Sequence, residues 1–299
     1  MPDLATVAPA SGAPAPDASL PTAGRRRALG LSFWAPAAWI ALVAFGAAFA
    51  AVLPLKSPTR SDFAHIAAVP GTGGHLLGTD EIGRDILSRL VYGARVSLTV
   101  GLVAVAVGLV VGGAIGLLAG YHRGKTETVL MGIVDVMLAF PALVLVIAVT
   151  AFLGQSLRNV TVAVAIVAVP AFARVARSAT ISCVHRDFVT AARGMGATTW
   201  RVLRREVLPN AVLPVAAFAL VVVGVAIIAE GGLAFLGLSV PPPHPSWGSM
   251  IYGGKNKLAD GTAPFISLIP AGVMFLTVLS FNVVGDHLRS RFDTRAGVL

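Results

Sequence analysis

Charged residues are scarce in this chain, since Asp, Glu, Lys and Arg make up only 12% of its 299 residues. A soluble domain carries about twice that share. Hydrophobic residues account for 56%, and the mean hydropathy is +0.82. Several apolar runs exceed the roughly 18 to 20 residues that cross a hydrocarbon core. The shortage of charge therefore excludes a soluble protein and indicates an all-α integral membrane protein.

Groups suited to catalysis or metal binding are also few. A single cysteine, Cys183, excludes an intrachain disulfide, and no Cys/His cluster has zinc-ligand spacing. The stretch 120–126 resembles a phosphate-binding loop, but three residues rather than four separate its glycines. The sequence therefore predicts no catalytic residue, no metal and no cofactor in this chain.

The net charge of +9 does not indicate nucleic-acid binding, because the positive residues lie beside apolar segments. Residues 1–30 are rich in Ala and Pro, and Arg25, Arg26 and Arg27 come near their end. We interpret them as a flexible cytoplasmic tail with a basic anchor. A cleavable signal peptide is not expected, because the first apolar segment is too long for one.

Six apolar stretches predict six transmembrane helices, since lipid offers no partners for backbone N–H and C=O groups. They cover residues 33–55, 96–119, 129–153, 160–181, 211–238 and 265–286. Of the 23 Lys and Arg residues, fifteen fall on the side that holds both termini and eight on the other. Excess positive charge stays inside, so both termini, including the tail 287–299, are predicted to be cytoplasmic.

The outer segment, residues 56–95, is predicted to contain a short amphipathic helix on the outer surface. Thr79 is the expected N-cap, and the helix would begin at Asp80. Its apolar stripe consists of Ile82, Ile86, Leu87 and Leu90. Two pairs at i,i+4 spacing place the acid before the base, Asp80–Arg84 and Asp85–Arg89. In the following span, glycines recur every four residues at 108, 112, 116 and 120, which predicts a face for close helix packing.

The elbow, residues 187–208, is predicted to form two short amphipathic helices at an angle. Asp187 would cap the first helix, whose apolar face holds Phe188, Ala191, Ala192 and Met195, and Gly194 and Gly196 would end it. Thr198 or Thr199 would cap the second, with Trp200, Leu203 and Val207 on one face, and Pro209 would stop it. The residues alone leave open whether the elbow lies in the headgroups or binds a partner protein.

The elbow resembles the membrane subunits of ATP-binding-cassette (ABC) importers. Their hallmark is Glu-Ala-Ala, three residues, Gly, nine residues, Ile, any residue and Leu-Pro. The matching residues here are Thr190-Ala191-Ala192, Gly196 and Leu208-Pro209, with Thr190 and Glu206 departing from the pattern. The resemblance implies a type I importer fold for residues 96–286 and an elbow that docks on a separate ATPase. The implied ATPase-coupling residues are Asp187, Phe188, Ala191, Ala192, Met195, Gly196, Trp200, Leu203, Leu208 and Pro209.

A narrower resemblance is to the C-type permeases of dipeptide and oligopeptide importers, a subfamily that also serves nickel and glutathione. It is carried by residues 75–98, Asp135 with Phe140-Pro141, residues 233–238 and residues 245–248. It implies a bacterial cytoplasmic membrane, a second permease subunit, two ATPases that bind ATP and Mg, and an extracytoplasmic substrate-binding lipoprotein. It also implies that this chain is not an enzyme.

Two acidic residues in the spans are further candidates, because an ionisable group in a membrane is costly unless it is paired or faces water. Glu230 either lies on the translocation path or is a hydrogen-bonded carboxyl at a helix contact. Asp135 is expected to have a structural or inter-subunit partner. These two acids are the thin support for an alternative, a proton-coupled secondary transporter; a structural assembly factor is a further alternative.

Three more residues have expected structural roles. Pro141 and Pro170 are expected to kink their helices, since proline lacks a backbone N–H. Trp247 is expected to anchor the outer interface of the membrane.

Overall fold

The computed structural model describes residues 30–296, and helices make up most of this part of the chain. The predicted basic anchor at Arg25–Arg27 lies outside the described residues. The helices are α1 Leu31–Phe49, α2 Ile86–His122, α3 Gly124–Ala139, α4 Ala142–Leu153, α5 Leu157–Val184, α6 Asp187–Gly194, α7 Thr199–Phe235, α8 Trp247–Gly253, α9 Lys255–Ala259 and α10 Phe265–Ala296. Between residues 30 and 296, β-pairing is limited to two isolated bridges.

Five of these helices are long and apolar enough to cross a membrane, and the bent pair α3–α4 gives a sixth span when it is counted as one. This agrees with the six predicted spans, although several ends differ. α1 ends at Phe49 rather than near residue 55. α10 continues through the predicted cytoplasmic tail as far as Ala296, so that tail is helical where it is described.

The third span is broken rather than merely kinked. α3 and α4 meet at an angle of 84°. Phe140, at the break, has extended backbone angles, because the ring of Pro141 disfavours the helical region for the residue before it. Pro170, by contrast, lies inside α5, which continues as one α-helix from Leu157 to Val184.

The outer segment contains no separate amphipathic helix, and this prediction was wrong. Thr79 is not a helix cap, because its hydroxyl accepts a hydrogen bond from the backbone N–H of Ala68 at 2.9 Å. The cap is Asp85, whose carboxylate accepts from the N–H of Ser88 at 2.8 Å, and α2 begins at Ile86. The residues predicted to start a surface helix instead form a turn and the first part of a transmembrane helix.

The turn before α2 is held by the carboxylate of Asp80. It accepts hydrogen bonds from the backbone N–H of Arg84 at 2.9 Å and from its Nε at 2.7 Å. The predicted pair Asp80–Arg84 is therefore present. Arg89 does not make its predicted pair with Asp85; its Nε lies 3.4 Å from the Asp80 carboxylate. One buried carboxylate thus organises the turn where two surface pairs were expected.

The glycine face of α2 packs against α5, as predicted. A Cβ placed on Gly112 would lie 2.8 Å from the Cβ of Phe172, and one on Gly116 would lie 2.8 Å from the Cβ of Ala176. Gly108 and Gly120 meet α5 equally closely. Small residues here let the two backbones approach, which increases the packing contacts that hold helices together in lipid.

We predict that Gly112→Ala destabilises the protein, because the added methyl group overlaps Phe172 and the backbone of α5. The expected loss is about 1–3 kcal/mol of unfolding free energy, typical of overpacked sites. Gly113→Ala is the matched control, since a Cβ at Gly113 meets nothing within 4 Å. Thermal unfolding of the two purified variants compares them, and equal stability would contradict the close contact.

Candidate functional site

The elbow has a small hydrophobic core of its own. Seven residues from the end of α5, from α6 and from the start of α7 are buried together: Cys183, Val189, Ala192, Val202, Leu203, Val207 and Ala211. Leu117 and Tyr121 at the end of α2 pack against this cluster. The guanidinium of Arg193 adds a contact, 5.4 Å from the centre of the Tyr121 ring. The elbow is therefore fixed to the ends of α2 and α5.

The first elbow helix, α6, ends in a glycine motif. The N–H of Ala197 bonds to the carbonyl of Ala192 at 3.1 Å, and the N–H of Gly196 to that of Arg193 at 2.9 Å. This pair of bonds is the Schellman motif, which places one residue in a left-handed conformation. That residue is Gly196, with φ +80°. The glycine of the importer hallmark is thus required by its backbone conformation. Lack of space is not the reason, because a Cβ there would meet no neighbour within 4 Å.

Asp187 is the first residue of α6 and not its cap, since Arg186 holds the N-cap position. The carboxylate remains close to the helix N-terminus, where the helix dipole favours a negative charge. Thr198 is the cap of the second helix, with its hydroxyl accepting from the N–H of Arg201 at 3.4 Å. The prediction for Asp187 was wrong in its detail, and Thr198 rather than Thr199 is the cap.

The second elbow helix does not stop at Pro209. It is continuous with the fifth span as α7, through a π-helical turn at Leu203–Val207. The N–H of Leu208 reaches back five residues to the carbonyl of Leu203. We attribute the continuity to this wider turn, which comes directly before the residue that lacks an N–H. The prediction of a separate short helix was therefore wrong.

The predicted coupling residues divide into exposed and buried groups. Met195 is 82% exposed and Trp200 67%, and Asp187, Phe188, Ala191, Leu208 and Pro209 are exposed as well. Ala192 and Leu203 are buried in the elbow core. The prediction that Ala192 shares a face with Phe188 and Met195, and Leu203 with Trp200, was therefore wrong. Ala192 and Leu203 lie beneath the exposed surface and support it. Arg201, Arg204 and Arg205 line a surface depression beside Trp200, so the exposed apolar groups have a basic border.

Glu230 is fully buried between helices. Its carboxylate accepts a hydrogen bond from the hydroxyl of Ser239 at 2.6 Å and another from that of Ser97 at 3.1 Å. Ser97 in turn accepts from the backbone N–H of Trp247 at 3.3 Å. This arrangement matches the hydrogen-bonded carboxyl at a helix contact, and the side chain faces no open path in this conformation.

Trp247 is buried and is not an interfacial anchor, so that prediction was wrong. Its exposed fraction is 0%, and its indole Nε1 donates to the carbonyl of Leu90 at 3.0 Å. Trp247 begins α8, where Ser246 and Ser249 form a capping box. Gly248 in α8 packs closely against Gly231 and Ala234 in α7. A Cβ on Gly248 would lie 2.9 Å from the Cβ of Ala234. The Glu230 network therefore joins α2, α7 and α8.

Asp135 has a charged partner within the chain. Arg174 of α5 donates to its carboxylate at 2.7 Å, and the two side chains remain 58% and 60% exposed. Closer to the elbow end of α5, the Nε of Arg177 donates to Glu127 at 2.6 Å. Two ion pairs therefore connect α3 to α5, and the first of them is still accessible from outside the chain.

Comparison with known proteins identifies the family. A model described as "binding-protein-dependent transport system inner membrane component" matches residues 112–295. The chain belongs to this family of membrane permeases. It is 40% identical over 253 residues to the glutathione transport system permease protein GsiD of Pectobacterium atrosepticum, covering 85% of this chain and 82% of GsiD. It is 41% identical to the di/tripeptide permease DppC of Pseudomonas aeruginosa, covering 75% and 74%.

Solved structures share the fold of this permease. The methionine ABC transporter MetNI, in an inward-facing conformation, aligns with a TM-score of 0.58 at 20% identity. The alignment covers 69% of this chain and 97% of that one. An amino acid ABC transporter gives a TM-score of 0.51 at 17% identity, covering 69% and 94%. The predicted type I importer fold is thus confirmed, the chain is a multi-pass permease of the inner membrane, and the secondary transporter gains no support.

We predict that Gly196→Ala loosens the elbow of this permease, because a side chain at φ +80° costs about 1–2 kcal/mol. Gly194→Ala is the matched control two residues away, where a Cβ also meets nothing within 4 Å and φ is not positive. Gly196→Asn should be tolerated better than Gly196→Ala. Limited proteolysis of the purified protein measures opening of the elbow, and equal cleavage of the two alanine variants would contradict this account.

We predict that Glu230→Ala destabilises the permease by about 1–3 kcal/mol, because it leaves two buried serine hydroxyls without their acceptor. Glu230→Gln keeps the volume and an acceptor oxygen, so the assembled transporter should retain most of its uptake. Thermal unfolding and solute uptake measure the two effects separately. Normal assembly with abolished uptake in Glu230→Gln would instead place this carboxyl on the transport path.

Proposed function

We propose that this permease imports dipeptides or other short peptides, glutathione among them, by alternating access driven by partner ATPases. The support for the cargo is the similarity to GsiD and DppC, whose names specify glutathione and di/tripeptide transport. The single observation that carries the mechanism is the elbow, which presents exposed apolar side chains above a core that fixes it to the spans. ATP and Mg would bind to the partners and not to this chain.

The elbow is suited to docking on a protein surface. Met195, Trp200 and Phe188 are exposed, and burying such side chains contributes about 1.5–3 kcal/mol each before ordering costs. The border formed by Arg201, Arg204 and Arg205 favours a partner that presents acidic groups. Thr190, which replaces the usual glutamate of the hallmark, is also exposed. The apolar contacts would therefore supply most of the affinity.

A second permease subunit is supported by the surface of α3 and α4. Val129, Ile133 and Val136 are each more than half exposed, as lipid or an apolar partner would allow. Asp135 and Arg174 are also more than half exposed, and lipid is a poor environment for an ion pair. A neighbouring permease, or a hydrated path between two permeases, would accommodate this pair.

An extracytoplasmic substrate-binding protein would meet the opposite end of the molecule. The outer segment and α8 lie at the ends of spans remote from the elbow, and the hydrogen bonds of Asp80 and Asp85 hold that segment in a fixed shape. The excess of Lys and Arg on the other side supports cytoplasmic termini. In this arrangement α7 connects the two sides.

Met195→Asp and Trp200→Ala test the docking proposal. Both side chains are exposed, so the variants should fold normally while the ATPases bind about 10–100-fold more weakly. Phe152→Ala is the control. This aromatic residue is also exposed, at 89%, but it lies near the C-terminal end of α4, on the side of the molecule away from the elbow. Co-purification of the ATPases and transport-coupled ATP hydrolysis are measured.

Unchanged co-purification and hydrolysis in both elbow variants would contradict the proposal. Solute uptake by the isolated chain, without a nucleotide-consuming partner, would favour a secondary transporter instead. The cargo is tested separately, by uptake of dipeptides, glutathione and nickel in a strain from which the gene is deleted. Uptake that depends on this chain for nickel alone would overturn the peptide assignment and leave the docking proposal intact.

A further inference from the structure

Two histidines and an aspartate of the outer segment converge on one point. One ligand atom from each of Asp62, His65 and His75 lies within 4.8 Å of the other two. The shared centre is Oδ2 of Asp62, which is 2.9 Å from Nδ1 of His65 and 3.5 Å from Nε2 of His75. The other oxygen, Oδ1, is already used, because it accepts from the backbone N–H of Ala64 at 3.1 Å.

His75 is buried, and one of its ring nitrogens lacks a partner. Its exposed fraction is 3%, and among residues 30–296 no group hydrogen-bonds to its Nε2. A buried ring nitrogen without a partner is uncommon and requires an explanation. The Asp62 oxygen at 3.5 Å is too distant for an ordinary hydrogen bond. Nε2 is therefore directed at the cluster and available to a ligand.

The opposite nitrogen of His75 fixes the direction of the ring. Nδ1 lies 2.8 Å from Oδ1 of Asp85, the residue that caps α2. A carboxylate on one imidazole nitrogen orients the other towards a metal and raises its basicity as a ligand. His65 is also constrained, because a Cβ on Gly73 would lie 2.5 Å from its Nε2. Only glycine leaves room for the ring there, and this packing leaves Nδ1 on the Asp62 side.

The donor set is that of a divalent transition metal. Imidazole nitrogen and carboxylate oxygen bind Zn²⁺ at about 2.0–2.2 Å, which places neighbouring ligands of a tetrahedral site about 3.3 Å apart. The two separations from the Asp62 oxygen, 2.9 and 3.5 Å, lie on either side of that value.

We propose that Asp62, His65 and His75 form a binding site for one divalent transition-metal ion, with Zn²⁺ as the reference ion. The fourth position would be open to water or to a group from a partner. The ion would link residues 62–65 to the turn that carries His75, and through Asp85 to the start of α2. The site lies on the outer segment and uses no residue assigned to ATPase coupling. Its test therefore does not depend on which solute the permease transports.

The test uses the full-length permease, purified with its partner subunits and without a polyhistidine tag. Zn²⁺ binding is measured by equilibrium dialysis, and Co²⁺ absorption reports the ligand geometry. The wild-type protein should bind one more Zn²⁺ per chain than His65→Ala or Asp62→Asn, or bind it at least about tenfold more tightly. His244→Ala is the control, because this histidine is exposed in the loop before α8.

Zinc should also raise the thermal unfolding temperature of the wild-type and His244→Ala proteins, but not of the two site variants. Equal Zn²⁺ binding by the wild-type and site variants would overturn the proposal, as would loss of binding in His244→Ala alone. Absence of any stoichiometric Zn²⁺ binding by the wild-type protein would do the same. His65 and Asp62 are chosen because both are partly exposed, whereas removal of the buried His75 would also disturb the cap of α2.

Discussion

The contact between the glycine face of α2 and α5 determines where the rest of the permease can lie. Four glycines remove the side chains that would hold the two backbones apart, and the contact extends from Gly108 to Gly120. At the C-terminal end of this contact, Leu117 and Tyr121 pack on the elbow core together with Val184 of α5. Because lipid gives apolar helices no hydrophobic reason to associate, this close packing is what positions the elbow.

The same fold treats its two intramembrane acids in opposite ways. Glu230 is enclosed completely, and two serines on different elements satisfy its carboxylate. Asp135 reaches Arg174 at a surface where both remain accessible. A buried polar group must find its partners within the chain, whereas an exposed pair in a span requires another protein or water beside it. Burial therefore separates a carboxyl that is satisfied within the chain from one that stays accessible at its surface.

Much of the architecture could be predicted from the sequence because the determinants are local. Apolar length identified the spans, and the four-residue glycine period identified the packing face of α2. The helix–glycine–helix spacing located the elbow, and Gly196 has the left-handed conformation that such a turn requires. In each case the information lies within a few helical turns.

The errors concern residues whose partners are distant in the sequence. Asp80 and Asp85 looked alike as acids in a helical pattern, yet one closes a turn with Arg84 and the other caps α2 and binds His75. Trp247 looked like an interfacial anchor but packs beside Ser97, 150 positions away. The Asp62, His65 and His75 cluster has no recognisable ligand spacing, because a turn at Gly73 brings its members together. A signal of this kind exists only after folding.

The continuity of α7 has a mechanical consequence. Its 37 residues extend about 55 Å at 1.5 Å per residue. One end carries the exposed Trp200, and the other end carries Glu230 and its contacts with α2 and α8. Had Pro209 broken the helix, a displacement at the elbow could have been absorbed at the break. Because the π-helical turn keeps the helix continuous, a displacement at the elbow would instead be passed along α7 towards the Glu230 contacts at its far end.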